Sequence, residues 1–446
     1  MPRSALPRRR PPAFRAAAAL TLAAFTASCA TTQLPPISAT GAGFEPLPAE
    51  LRLWDESRAE EEKLLGQVRL YDDPLLQDYL EGVVARLNPP PMAANPAVTY
   101  RVRVIADPTL NAFAYPHGSL YVHTGLLARM ASEDHVATVL GHEMSHVEYR
   151  HMLRYRRAAQ NRQIGLSVAA VAAAVVLAGE EGEAYQKGKW GKGATIGVLS
   201  DLLIGLGLQL AFLASVNGYG RELELEADYG GFAKVAAAGY DPAAAPEVYQ
   251  ALLDDKGDPG TLEGFFFGSH PKLSARVENA RQWLAEHPDE AGAEEGETAA
   301  GGVEDDRSDF ARRIRPVVRD DAALNLELGR LLLAEDQLAR ALEWMPEDPE
   351  THLLLGRLRL AQAEAAADED ARADRLSEAE TALREAIRLD PDRPAPHREL
   401  GLLLYRAGDR AGACIAFSHY LELDPDAEDA GTFRDYVLEL ERDGDC

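Results

Sequence analysis

A chain of 446 residues with 46% hydrophobic content is long enough for two or three domains with real cores, which excludes a disordered protein. Its 72 acidic residues outnumber 46 basic ones, a formal net charge of −26, and this excludes the basic footprint that a nucleic-acid partner needs. The acid is spread along the chain rather than blocked, so it reads as solvated surface.

The first residues form a targeting segment. Arg3, Arg8, Arg9, Arg10 and Arg15 precede a short apolar run from Ala16 to Phe25, and Thr26-Ala27-Ser28 leads to Cys29. Residues 1–28 resemble a bacterial lipoprotein signal, with Cys29 as the lipid-bearing first residue. Thr26 stands where that signal usually carries Leu, so simple cleavage and an uncleaved anchor stay open. No aspartate follows Cys29, which by the same resemblance favours the outer membrane. The expected location is the bacterial periplasm, on an outer-membrane lipid anchor. Residues 29–50, rich in Pro, Ala, Thr and Gly, read as a tether.

A helical segment follows, and Asp73-Pro74 starts another helix, with Leu76, Tyr79, Leu80, Val83 and Leu87 on one face and Asn88-Pro89-Pro90-Pro91 ending it. Residues 100–105 alternate as a half-buried strand, and the segment from Asn111 to Ser119 leads into a second strand at Leu120 to His123. The exposed edge of this small sheet can hold an extended peptide, with Asn111, Ala112, Phe113 and Ala114 as the peptide-binding candidates. His117 and His123 read as strand-surface histidines.

The stretch VLGHEMSHVEYRH, Val139 to His151, holds His142-Glu143-x-x-His146. Apolar residues at helical spacing, with Ser132 as a cap and Glu133 and Asp134 in the first turn, predict a helix. His142 and His146 then share a face on which two imidazoles can bind one metal ion, and Glu143 can act as a general base on water. A third ligand must come from elsewhere. Two apolar runs, from Ile164 to Gly179 and from Ala194 to Ala214, follow. The first is short for a span and the second carries Asp201 and Gln209, so 164–214 reads as a buried helical hairpin beside the site. A second predicted helix, opened by Arg221-Glu222-Leu223-Glu224-Leu225-Glu226-Ala227-Asp228, ends at Gly239-Tyr240-Asp241-Pro242. Glu224 and Asp228 share its face; a carboxylate there can complete a His-His-Glu site while its neighbours orient ligands. Glu222 and Glu226 read as solvated.

These residues resemble the M48 family of zinc metallopeptidases, relatives of the CAAX prenyl protease and of bacterial envelope quality-control proteases. The ordered series comprises Asn111-Ala112-Phe113-Ala114, Gly118, Thr124-Gly125-Leu126-Leu127, the His142 to His146 motif with Arg150-His151, Arg221-x-x-Glu224-x-x-Ala227-Asp228, Gly239 to Pro242, and Ser269-His270-Pro271 with Arg276. The resemblance implies one Zn²⁺ per chain on His142, His146 and Glu224, with Glu143 as base. It makes Asp228, Arg221 and Arg276 the residues behind the ligands. His270 would either stabilise an oxyanion or occupy the open metal position.

Beyond an acidic, Gly/Ala-rich linker over 286–310, Leu389-Asp390-Pro391 and Leu423-Asp424-Pro425 repeat 34 residues apart. That period resembles tetratricopeptide repeats, whose concave surface docks substrate or partner proteins. Asp348-Pro349 begins an irregular earlier repeat, and an insertion around Glu364 to Arg375 breaks the register. Cys414 and Cys446 are the pair left after lipidation, a candidate disulfide. The expected fold is therefore mainly α (α+β): a zincin-type metalloprotease domain with a small β-sheet over 51–285, then an α-helical TPR-like solenoid over 311–446. The expected function is zinc-dependent cleavage of misfolded or misassembled envelope proteins, with the repeats docking substrate or assembly machinery. The alternatives are an envelope chaperone with a latent zinc site and a protease embedded in the inner membrane.

Overall fold

Helix α1 (Pro48–Leu65) starts on a proline at its first position, and the Glu50 carboxylate accepts the backbone N–H of Leu47. The computed structural model to which it belongs describes residues 33–161, 221–254, 273–290 and 302–446. In α2 (Pro74–Leu87) the Asp73 carboxylate caps the N–H groups of Leu75 and Leu76, and Leu76, Leu80, Val83, Val84 and Leu87 form the buried stripe. Asn88 leaves the helix because a proline follows it.

The sheet has three strands in the order β1 (Arg101–Ile105), β3 (Ser119–His123), β2 (Ala112–Ala114), with β1 parallel and β2 antiparallel to β3. The sequence reading missed β2. Ala112, Phe113 and Ala114 are buried on both faces, so no polar alternation marks them. Gly118, at φ 107°, closes the hairpin between β2 and β3, and a Cβ there would stand 2.6 Å from the carbonyl oxygen of Thr99. One face of the hairpin (Ala112, Ala114, Leu120, Val122) belongs to the main core, and the other (Phe113, Tyr115, Tyr121) packs with Leu53 and Leu64 of α1.

His117 and His123 are not surface residues. His117 pairs with Glu61 at 2.9 Å, and the Nδ1 atom of His123 lies 2.7 Å from the Thr109 hydroxyl. Burial pushes the Glu61 carboxyl up, but hydrogen bonds from His117, Tyr121 and Ser119 more than offset it and hold the group at about 2.

The tether expectation fails over its described part. Ile37 and Phe44 are buried in the core, and Asn95 donates to the Gly41 carbonyl oxygen at 3.0 Å. Two apolar anchors in a Pro/Gly-rich stretch are enough to dock it. Residues 1–32, with Cys29, lie outside the described residues, as does the apolar stretch 164–214. Among the described residues no helix is long and apolar enough to cross a membrane.

Helix α3 (Glu133–Glu148) is the central core helix, buried from His135 to Glu148. It is crossed by α4 (Arg221–Ala237), and α5 (Ala244–Asp254) and α6 (Leu273–Glu286) complete this half. The linker expectation is also too long, because α7 (Gly302–Glu327) begins inside it. Phe310, Ile314, Val317 and Val318 of α7 share the core of α3. Asp321 of α7, fully buried, accepts from the Thr124 hydroxyl at 2.9 Å and from Gln337 at 2.6 Å. The repeat helices thus grow from a helix that the first half already holds.

They continue as α8 (Leu331–Trp344), α9 (Pro349–Ala365), α10 (Glu369–Leu389), α11 (Pro394–Ala407), α12 (Arg410–Leu423) and α13 (Ala430–Asp443). Each Leu-Asp-Pro motif ends the second helix of a hairpin, with Asp390 and Asp424 at the C-caps. Gly356 and Gly401 occupy equivalent close contacts: a Cβ would stand 2.7 Å from Leu383 in one and 2.5 Å from Phe417 in the other. The register-breaking insertion is absorbed by longer helices, 17 and 21 residues in α9 and α10 against 14 each in α11 and α12. The sulfur atoms of Cys414 and Cys446 lie at bonding distance with Cα atoms 5.6 Å apart, the spacing a disulfide needs.

Candidate metal centre

Ser132 caps α3 by accepting from the N–H of His135, and Glu133 and Asp134 complement the helix dipole. One turn separates His142 from His146, and both are buried. Helix α4 can approach α3 closely because glycines meet at the crossing. A Cβ on Gly231 would stand 3.0 Å from the backbone nitrogen of His142, and one on Gly141 would stand 3.2 Å from the Gly231 carbonyl oxygen. Two turns before Gly231, Glu224 is carried to the histidines with no exposed surface left. Lys234 ties the same two helices, 2.6 Å from Glu148 and donating to the Ser145 hydroxyl at 2.8 Å.

The Nε2 atom of His142 lies 3.0 Å from that of His146 and 3.5 Å from a Glu224 oxygen, which is 3.8 Å from His146. Ligands at about 2.0–2.1 Å from a tetrahedral zinc stand about 3.3 Å apart, so these atoms suit such an ion. Among the described residues this trio is the cluster able to hold a metal, with one donor atom from each inside 4.8 Å.

The groups behind the ligands fix which nitrogens face inward. The Nδ1 atom of His142 lies 2.9 Å from Asp228, so Nδ1 carries the proton and Nε2 presents a lone pair. Arg276 of α6 grips Asp228 at 2.5 Å, and Tyr249 of α5 donates to it at 3.0 Å. Burial and the Arg276 guanidinium push the His142 imidazole down, but hydrogen bonds to Asp228 and Glu224 more than offset them and lift it to about 9. The Nδ1 atom of His146 faces Nδ1 of His151 at 2.9 Å, and Glu226 stands 3.5 Å from the far side of His151.

His142, Glu143, His146, Glu224, Asp228 and Arg276 thus come together, and all six are buried. Ala112, Phe113 and Ala114 form β2, which packs against α3, and Asn111 immediately precedes it. Tyr115 bonds to Ser119 and His123 to Asn111 across the hairpin, so by antiparallel alternation the backbone N–H and C=O of Ala112 and Ala114 point to the other edge. Among the described residues the buried Asn111 side-chain oxygen has no hydrogen-bond partner.

The orienting role expected of Arg221 is not met among the described residues. As the first residue of α4 it is exposed to solvent. Glu226, expected to be solvated, instead pairs with Arg154 at 2.7 Å. His270 lies outside the described residues. Tyr249 was not legible in the sequence, since in an apolar helix it reads as an ordinary core aromatic. His151 also escaped assignment, because five residues past His146 on a continuous helix is the wrong face.

Residues 74–284 match peptidase family M48. The mitochondrial metalloendopeptidase OMA1 of Schizosaccharomyces pombe is 31% identical over 42% of this chain and 47% of its own length. That of Arabidopsis thaliana is 30% identical over 40% of this chain and 30% of its own. The beta-barrel assembly-enhancing protease of Escherichia coli is 28% identical over 49% of this chain and 41% of its own. The chain spans less than half the length of these relatives.

Proposed function

We propose that this chain, whose residues 74–284 belong to peptidase family M48, is a zinc-dependent metalloendopeptidase that cleaves unfolded or misassembled proteins of the cell envelope. The observation that carries the reading is the buried convergence of His142 Nε2, His146 Nε2 and Glu224 at spacings suited to one tetrahedral ion. When bound, zinc supplies a Lewis acid that acidifies water and polarises a carbonyl. Glu143, buried next to the first ligand, takes the proton of the attacking water and delivers it to the leaving amide nitrogen as the C–N bond breaks. No covalent enzyme intermediate is needed. Asp228 holds the His142 ring, and Arg276 and Tyr249 hold Asp228. The backbone groups of Ala112 and Ala114 turn to the side of β2 away from β3, but with 0% and 3% of their surface exposed they can pair with an extended substrate only once whatever covers that edge moves aside.

The name of the Escherichia coli relative, a beta-barrel assembly-enhancing protease, supports an envelope setting, as does the lipoprotein-like segment ending at Cys29. In this reading the repeats α8–α13 dock substrate or assembly partners. The family resemblance keeps His270, outside the described residues, as the candidate for the oxyanion or the open metal position. The test is degradation of an unfolded protein such as reduced casein by the purified chain from Ala30 onward. Cleavage is expected to stop on removal of metal with a chelator and to return with stoichiometric zinc. Cleavage indifferent to chelation would contradict the reading.

A further inference from the structure

His151 lies in the interior with no exposed surface, yet neither the metal set nor the base requires it. On an unbroken helix a residue five positions after His146 would point about 140° away from it. The chain does not run unbroken: α3 ends at Glu148, and Arg150 adopts φ 60°, the left-handed conformation uncommon outside glycine, before helix resumes at 151. This turn swings the His151 ring back over the ligand, bringing its Nδ1 atom to 2.9 Å from Nδ1 of His146. Arg150 is held in the turn from several sides. Its guanidinium donates to both oxygens of the buried Glu50 carboxylate, at 2.8 and 2.6 Å, and stacks 5.2 Å from the Phe44 ring centroid. An unfavourable backbone conformation persists where its surroundings over-determine it, and here it aims a side chain at a ligand.

We propose that His151 is a positioning residue of the metal centre, accepting the Nδ1 proton of His146 and so holding that ring with Nε2 toward the ion. This rests on the metal reading of His142, His146 and Glu224. The proton assignment is self-consistent along the whole chain of contacts. A ring that ligates through Nε2 keeps its proton on Nδ1, and that proton needs an acceptor. His151 supplies its Nδ1 lone pair, which leaves its own proton on Nε2, and there Glu226 stands 3.5 Å away with Arg154 behind it at 2.7 Å. The two ligand histidines are thus treated differently: His142 leans on a carboxylate clamped by Arg276, and His146 on a neutral imidazole. The segment around Phe44 and Glu50, by fixing the Arg150 turn, belongs to the architecture of the site.

The test compares zinc dissociation constants of the wild type, His151→Leu and His151→Asn in the full chain from Ala30 onward, by competition with a fluorescent zinc chelator. Thermal unfolding of the zinc-free proteins is followed alongside. Asparagine places an acceptor oxygen where Nδ1 was; leucine does not. Loss of a partner behind a ligand typically weakens metal binding about 10–100-fold, so His151→Leu is expected to lose that much and His151→Asn less than about threefold. Should leucine not be accommodated, His151→Met fills the same pocket more flexibly and takes its place in the comparison. Equal zinc affinity in wild type and His151→Leu overturns the proposal, as does an equal loss in His151→Asn, which would mark a packing role. Absence of zinc binding by the wild type would overturn the metal reading itself, and is distinguishable from both.

Discussion

In a Glu143→Gln variant, hydrolysis of an unfolded protein is expected to fall by about 10²–10⁴-fold, the usual share of a general base, while zinc content stays at that of the wild type. Glutamine keeps the size and hydrogen-bonding reach of glutamate but cannot take a proton from water. The residue is buried between two histidine ligands on the core face of α3, so an isosteric change disturbs packing little. None of the three ligand atoms is altered, and so metal affinity should persist. The pair of readouts separates roles: loss of both would point to a disrupted fold, and a fall of less than tenfold would place the base elsewhere. Rates on a quenched fluorescent peptide, with metal content measured on the same preparation, provide the check.

Arg276→Ala is expected to destabilise the metal-free protein by about 3–5 kcal/mol, the cost of leaving a buried charge unpaired. Arg276 and Asp228 are each nearly inaccessible to solvent, with the guanidinium 2.5 Å from the carboxylate, which Tyr249 and His142 share. Replacing both charges with apolar groups of similar size, Asp228→Leu with Arg276→Met, should restore most of the stability. It should not restore zinc affinity, because the Nδ1 proton of His142 then has no acceptor. Urea unfolding of the metal-free variants measures the first effect and chelator competition the second. An unchanged unfolding midpoint in Arg276→Ala would show that Asp228 does not depend on Arg276 in the fold, and would sink this account of how His142 is held.

Residues whose role follows from spacing on one element were legible in the sequence. His142 and His146 one turn apart, Ser132 before an apolar-periodic run, Asp73-Pro74 at a helix start and the 34-residue return of Leu-Asp-Pro each encode a local geometry, and the elements follow from it. Glu224 was different. Helix periodicity offered several acids, and only resemblance to a family singled one out, because the Gly141–Gly231 crossing that carries it to the histidines is a tertiary event. Tyr249 and His151 were beyond reach for the same reason. One needs the packing of α5 on α4, and the other needs a left-handed arginine that no local rule anticipates. The misread stretches also share a cause. Composition suggested a tether before α1 and a linker up to residue 310, yet Ile37, Phe44 and Phe310, few apolar residues in polar surroundings, dock both into the core. The short strand β2, buried on both faces, shows no alternation to read.

Elemental analysis of zinc in the purified chain from Ala30 onward, wild type beside Glu224→Ala, tests the metal centre most directly. Three ligands from two crossing helices should retain about one zinc per chain, and removal of the α4 carboxylate should leave the variant largely empty. A well-folded, metal-replete wild type that holds no zinc, or a Glu224→Ala variant that holds as much as the wild type, would contradict the assignment.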